Sequence, residues 1–412
     1  MRLLSIPLVL ATGALLAPHG DGAAMTAAAS PSSRPASVHA DTPVAEIPFV
    51  LSGDYVLLQA SVNGHVGWLV LDTGSSVSTL DAEWADSAAH VRVVATEGQV
   101  QGSATVRAST GEVDSLRIGT VEMGRTRVAL IPLGPVTRAR GTPMHGTIGH
   151  DFLTRYVVEI DYRARRMRLY RPAGYTYRGT GVAVPVTLQH GIPVVQATIT
   201  PAGRAPVAAR LVLDLGSANL AVRLFSPFVA THGLASLPGI DAPIGTGVGG
   251  TVLGRVARLG SVSLGTLRVP APTVGMALRP EGFFGTTLVD GTLGSPVFRR
   301  TTLIVDYARS RVIFEPAPGF NAAFEVDMSG MSLAGAPSEA VAVTYVVSGS
   351  PAAQAGVAPG DVLVSVDGAA ATPRTLDAVR ATLRSGSGAT RRLVLRRGGE
   401  TREAAITLRR LV

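Results

Sequence analysis

The chain has 412 residues, of which 46 % are hydrophobic and 16 % charged, and 47 are glycine. That is long enough for several domains and a large core, and too apolar for a disordered polypeptide. It contains no cysteine, which excludes disulfides and thiolate metal sites, and its net charge of +8 comes from arginines alone. Those arginines are scattered without stacking aromatics, so a nucleic-acid surface is not expected.

Met1-Arg2 precedes an apolar run from Leu3 to Ala17, broken by Pro7 and Gly13. This is a short basic region followed by an apolar segment too short for a comfortable membrane span. With Ala23-Ala24 as the processing neighbourhood, residues 1–24 are expected to be a signal peptide, the alternative being an uncleaved anchor. Residues 25–44, rich in Ala, Ser and Pro, read as a flexible linker. Either reading exports the remainder, to the periplasm or beyond, with membrane contact only if the first segment is retained.

From Pro48 three strands are expected: Pro48–Leu51, Tyr55–Val62 and Trp68–Leu71, with Asn63-Gly64 as a hairpin turn. The apolar run Leu69-Val70-Leu71 leads straight into Asp72-Thr73-Gly74-Ser75. The arrangement recurs as Pro185–Leu188, Ile192–Ile199 and Leu211-Val212-Leu213, leading into Asp214-Leu215-Gly216-Ser217. Further repeats follow in order. Leu116-Arg117-Ile118-Gly119 matches Leu259-Gly260-Ser261-Val262, and Gly146-Thr147-Ile148-Gly149 matches Gly291-Thr292-Leu293-Gly294. The hairpins Val158–Tyr162/Arg166–Tyr170 and Leu303–Tyr307/Arg311–Phe314 also match. The period, near 142 residues, is too long for a solenoid and describes two homologous lobes, 45–178 and 179–318. The cluster Arg163-Arg165-Arg166-Arg168 reads as the exposed face of a β-ribbon.

A carboxylate at the end of a buried strand is costly unless something uses it. Two such groups, one per lobe, suit a facing pair that shares one proton around a water. Asp72-Thr73-Gly74-Ser75 resembles the active-site motif of retropepsin-like and pepsin-like aspartic proteases, and Asp214-Leu215-Gly216-Ser217 resembles its partner with one change. The resemblance implies Asp72 and Asp214 as catalytic residues. It implies Thr73, Gly74, Ser75, Gly216 and Ser217 as their support: the glycines donate amides to the carboxylates, and the serines bond the outer oxygens. It also implies that Ile148-Gly149 and Leu293-Gly294 thread beneath the catalytic loops. Both lobes lie in one chain, so intramolecular pairing is expected, with homodimerisation as the alternative. Leu215 departs from the family's Thr and cannot return the bond that Thr73 sends to the opposite loop. Flap hairpins over the cleft are expected at Gln101-Gly102-Ser103-Ala104 and at Gly245–Gly250.

Beyond Pro316-Ala317-Pro318-Gly319 the composition changes, and a third unit spans 325–412. Ser350-Pro351 opens a helix ending near Gly356, and Gly360-Asp361 leads a strand into the Asp367-Gly368 turn. A second helix is expected over Leu376–Leu383, then closing strands Arg391–Arg397 and Ala404–Arg409. This resembles a PDZ domain of the bacterial periplasmic-protease type. Gly330-Met331-Ser332-Leu333 is its candidate carboxylate-binding loop, although Ala334-Gly335-Ala336 carries no strand signal. The implied partners are C-terminal peptides, captured in backbone amides and added as an edge strand.

The expected fold is therefore mostly β: two homologous acid-protease-type lobes followed by a small α+β PDZ domain. The expected activity is an aspartic endopeptidase acting on polypeptides, with no metal or organic cofactor and no nucleic-acid partner. The third unit is expected to be dispensable for cleaving short peptides. The alternatives are a catalytically lapsed, protease-like peptide-binding protein and an interaction protein whose PDZ unit carries the function.

Overall fold

A computed structural model describes residues 42–101, 105–336 and 340–412. The expected signal peptide and nearly all of the linker lie outside the described residues. Gly102, Ser103 and Ala104 of the first expected flap do so as well.

The lobes are built from the same connections. Strands Tyr55–Val62 and His65–Leu71 pair antiparallel from Val62↔His65. Asn63 and Gly64 both carry positive φ (49° and 86°), the conformation that matches the right-handed twist of a tight hairpin. In the second lobe Ile192–Pro201 and Val207–Asp214 pair from Ile199↔Val207 around a longer turn. Each aspartate strand then takes a parallel neighbour, Gly146–Ile148 beside Leu71 and Gly291–Gly294 beside Asp214. These neighbours pass beneath the loops bearing Asp72 and Asp214, where the resemblance placed them. The amides of His150 and Ser295 donate to the carbonyls of Ser75 (2.9 Å) and Ser217 (2.8 Å).

The closing hairpins do more than end their lobes. Val157–Asp161 pairs antiparallel with Thr301–Asp306, which joins three strands from each lobe into one six-stranded sheet. This sheet holds the lobes in a fixed two-fold relation within one chain. A continuous core of aliphatic side chains crosses it, including Leu58, Leu71, Ile148 and Ile160 from one lobe and Leu213, Leu293, Val305 and Phe314 from the other. With few aromatics available, strand faces rich in Val, Leu and Ile supply the burial.

The third unit has its own core, including Leu333, Val341, Leu363, Leu376, Leu393 and Ile406. Its second helix is Leu376–Leu383 and its closing strands are Thr390–Arg397 and Glu400–Thr407. One expectation needs correcting. Met331–Gly335 is a strand, paired antiparallel with Val341–Val346. The small residues Ala334-Gly335 show no local strand preference, and pairing with the buried Val341 and Val343 supplies what propensity does not.

This unit touches both lobes. Asp377 accepts from the Ser52 hydroxyl (2.9 Å) and the Gly53 amide (2.8 Å) of the first lobe. Tyr345 donates to the Asp241 carbonyl (3.1 Å) and Arg384 to Asn219 Oδ1 (2.7 Å) of the second. Val347 and Tyr345 join an apolar cluster with Leu220, Ile244 and Val252.

Candidate active site

Asp72 follows the last residue of its strand, and its amide donates to the Ile148 carbonyl at 2.9 Å. Asp214 is the last residue of its own strand, in register with Gly294. The pairing of the two lobes sets these tips face to face, with oxygens of both carboxyls beside Gly74. Burial, and then the facing charge of Asp214, push Asp72 well above the usual carboxylate range. Burial also raises Asp214, but there the Arg223 guanidinium works against the rise.

The glycines are required by closeness. A Cβ on Gly74 would stand 2.7 Å from Asp214 Oδ1, and one on Gly216 would stand 2.6 Å from both oxygens of Asp72. A side chain at either position would force the carboxyls apart. The Gly74 amide donates to Asp72 Oδ1 at 2.8 Å.

Thr73 links the two loops alone. Its hydroxyl donates to the Leu213 carbonyl (2.6 Å) and accepts from the Leu215 amide (2.9 Å). Leu215 returns neither bond and instead joins the interlobe core at 1 % exposure. Burying that side chain contributes about 1.5–3 kcal/mol. The serines differ from what the resemblance implied. Ser75 Oγ donates to the Val77 carbonyl at 2.7 Å, while Ser217 Oγ accepts from Arg223 and lies 3.3 Å from Thr292 Oγ1. Neither hydroxyl hydrogen-bonds a carboxylate oxygen.

Both carboxyls line a cavity of about 940 Å³. The hairpin expected at Gly245–Gly250 forms one wall. Its strands Gly239–Gly247 and Gly250–Leu264 meet at Val248-Gly249. Val248 is buried not in its own lobe but against Leu57, Val70, Ile131, Leu133 and Met144 of the first. This hairpin therefore crosses the cleft, and its apolar tip meets its wall on the far side. In the first lobe, Arg92–Gln101 and Thr105–Val113 pair as the arms of the other expected flap.

The third unit also borders this cavity, through Gly330, Met331, Leu333, Val347 and Arg380. Its candidate carboxylate-binding loop is engaged from within. The amides of Ser329 (2.9 Å), Gly330 (2.8 Å) and Met331 (3.2 Å) all donate to Asp327 Oδ1. Along the adjoining strand, Arg380 donates to the Leu333 carbonyl (2.7 Å) and to Ala139 (2.5 Å) and Arg140 (3.2 Å) at the end of a first-lobe helix, Gly134–Arg140. The chain's own groups thus engage the loop and the strand at which the resemblance implied that a peptide would bind.

Compared with known families, residues 58–152 match the family model described as aspartyl protease, and residues 342–397 match that of the PDZ domain. The chain thus combines an aspartyl-protease-like domain with a C-terminal PDZ domain. The first match covers the Asp72 motif and the segment threading beneath it. The second lobe is tied to the first by its repeated connections and the shared sheet. No curated protein gives a significant match to the chain.

Sequence reasoning overlooked Arg223, Asp327 and Arg380. Arg223 carried a legible signal, being the one charged residue in the apolar run Leu220-Ala221-Val222-Arg223-Leu224-Phe225. Asp327 and Arg380 gave none, since their partners lie across tertiary contacts. Among the described residues, no three His, Asp or Glu side chains converge as a metal-ligand set.

Proposed function

We propose that the protein is an exported aspartic endopeptidase acting on polypeptides through Asp72 and Asp214, periplasmic or secreted. One observation carries the reading: two carboxyls, the buried Asp72 and the partly buried Asp214, face each other across Gly74 and Gly216 in a cleft large enough for several peptide residues. A water between them is the nucleophile. The ionised carboxylate takes a proton from that water as its oxygen attacks the scissile carbonyl, and the protonated carboxyl gives its proton to the carbonyl oxygen. The gem-diol then collapses, the C–N bond breaks, and the leaving amine takes up a proton. Two facing carboxyls cannot both ionise readily, so they titrate as a coupled pair.

The PDZ unit, bridging both lobes beside the cleft, shapes the site. Recruiting a C-terminal peptide there requires its carboxylate to displace Asp327 and its backbone to displace Arg380 from Leu333. Leu215 favours a second reading, a lapsed protease that retains peptide binding. Digestion of a peptide library from acid to neutral pH, with Asp72→Asn and Asp214→Asn as controls, separates the two. Cleavage lost in each variant, with a cooperative thermal transition no lower than that of the wild type, supports the endopeptidase. Peptide binding without turnover by the wild-type protein would replace it with the second reading.

A further inference from the structure

The lobes repeat each other in topology but not in charge. Where the strand Thr79–Asp81 of the first lobe crosses its neighbour, Thr79 stands opposite Thr147, and their hydroxyls are 2.8 Å apart. At the matching crossing of the second lobe, Arg223 stands opposite Thr292. Its side chain is 8 % exposed. Nε donates to the Ile244 carbonyl (2.6 Å), Nη2 to the Ala218 carbonyl (2.5 Å) and Nη1 to the Ser217 hydroxyl. One guanidinium thus ties the loop bearing Asp214 to the hairpin that crosses the cleft.

These three partners are neutral. They satisfy the donors without cancelling the charge, and a charge held so deep in the protein acts strongly on its surroundings. Its partners Ser217 and Ala218 follow Asp214 in the same loop, and the ionisable groups within reach of its charge are the Tyr55 phenol, Asp214 and Asp54. Asp54 is already occupied, paired with Arg299 at 3.1 Å and accepting from the Asn219 amide at 2.9 Å. Tyr55 carries the Arg140 guanidinium 4.0 Å above its ring, and burial keeps its phenol neutral. Asp214 is left as the carboxyl on which Arg223 bears. Asp72 faces Asp214, and the first lobe offers a threonine where the second offers the arginine.

We propose that Arg223 is a positioning residue that makes the carboxyl pair asymmetric, holding Asp214 as the ionised member and leaving the shared proton on Asp72. Asp214 is then the base toward water, and Asp72 the acid toward the carbonyl oxygen. A pair with threonine on both sides would leave that choice to the substrate. The direction of the Asp214 titration noted above agrees with the geometry.

The assignment of acid and base rests on the endopeptidase reading, but the charge asymmetry does not, so the test has one arm that needs no activity. In Asp72→Asn only Asp214 of the pair titrates, and in Asp214→Asn only Asp72 does. The carboxylic C=O band in infrared difference spectra reads each across pH. The lone Asp214 is expected to ionise at least about one pH unit below the lone Asp72, a tenfold difference in proton affinity. Adding Arg223→Met should close that gap and Arg223→Lys should preserve it. Equal or reversed values in the two single variants, which keep Arg223 and its contacts, would overturn the proposal even if Arg223→Met fails to fold.

The second arm is the pH profile of kcat/KM on a cleaved peptide. Without Arg223 the base protonates more readily, so the acid limb should move to higher pH in Arg223→Met and return in Arg223→Lys. A uniform loss of activity with both limbs in place would mean that Arg223 only supports the fold. If no peptide is turned over while the titration gap is present, the protease reading falls and the asymmetry stands.

Discussion

Thr73→Val is the sharpest perturbation of the site, because the interloop hydrogen bonds that a symmetric protein would draw from two threonines come here from one. Valine keeps the shape and removes the hydroxyl, which leaves the Leu213 carbonyl and the Leu215 amide without their partner. Thr73 is 3 % exposed, so water does not readily replace it. Each buried backbone group left unpaired costs about 1–3 kcal/mol, or about 2–6 kcal/mol together if nothing relaxes. Thr73→Ser keeps both bonds and gives up one methyl group, about 1 kcal/mol. Asp214 lies between the two affected residues, so the loss should reach the carboxyl geometry as well as the fold. Since a tenfold rate change corresponds to about 1.4 kcal/mol, kcat/KM for Thr73→Val should fall by more than about tenfold. Thermal unfolding and peptide turnover of wild type, Thr73→Ser and Thr73→Val measure both effects. A Val variant as stable and active as the Ser variant would show that the interlobe sheet alone holds the site.

Other outcomes follow from the same contacts. Leu215→Thr should keep or raise turnover, since a hydroxyl there can by symmetry reach the backbone around Leu71 and Thr73; a loss of activity with an intact fold would count against this. Asp72→Asn should raise Tm at neutral pH and leave it unchanged near pH 3. The folded-state pKa of Asp72 lies above its unfolded value, so its contribution is most favourable below about pH 4 and is lost as pH rises toward the folded value. Equal Tm shifts at both pH values would contradict it. Deleting residues 325–412 should reduce cleavage even of short peptides, because Asp377, Tyr345 and Arg384 brace both lobes beside the cleft. Unchanged short-peptide kinetics would restore the dispensable unit expected from sequence. Asp327→Ala should free the three loop amides and raise the affinity of the PDZ unit for a peptide with a free C-terminus, measured by fluorescence anisotropy against its amidated form. Equal affinity for the two forms would show that the loop is not a carboxylate site.

Much of this protein was legible in its residues. The paired Asp72 and Asp214 motifs, the repeated hairpins and the Ile148-Gly149 and Leu293-Gly294 segments follow from local chemistry. A strand that must bury both faces reads as an apolar run, a tight hairpin turn reads as Asn-Gly, and close backbone approach reads as Gly. The helix Leu376–Leu383 was bounded correctly for the same reason, since an amphipathic period is a local property. What tertiary structure decided is where groups distant in the chain meet. Val248 could be read as part of a glycine-rich flap, but not as a side chain that seats in the opposite lobe. Met331–Gly335 became a strand through its partner rather than its own preference. The loop amides gathered on Asp327, the brace from the PDZ unit and the guanidinium tied to the Asp214 loop each depend on charges and carbonyls brought together across the fold. Coulomb and hydrogen-bond energies are set by distance and burial, and neither quantity is written in the order of the residues.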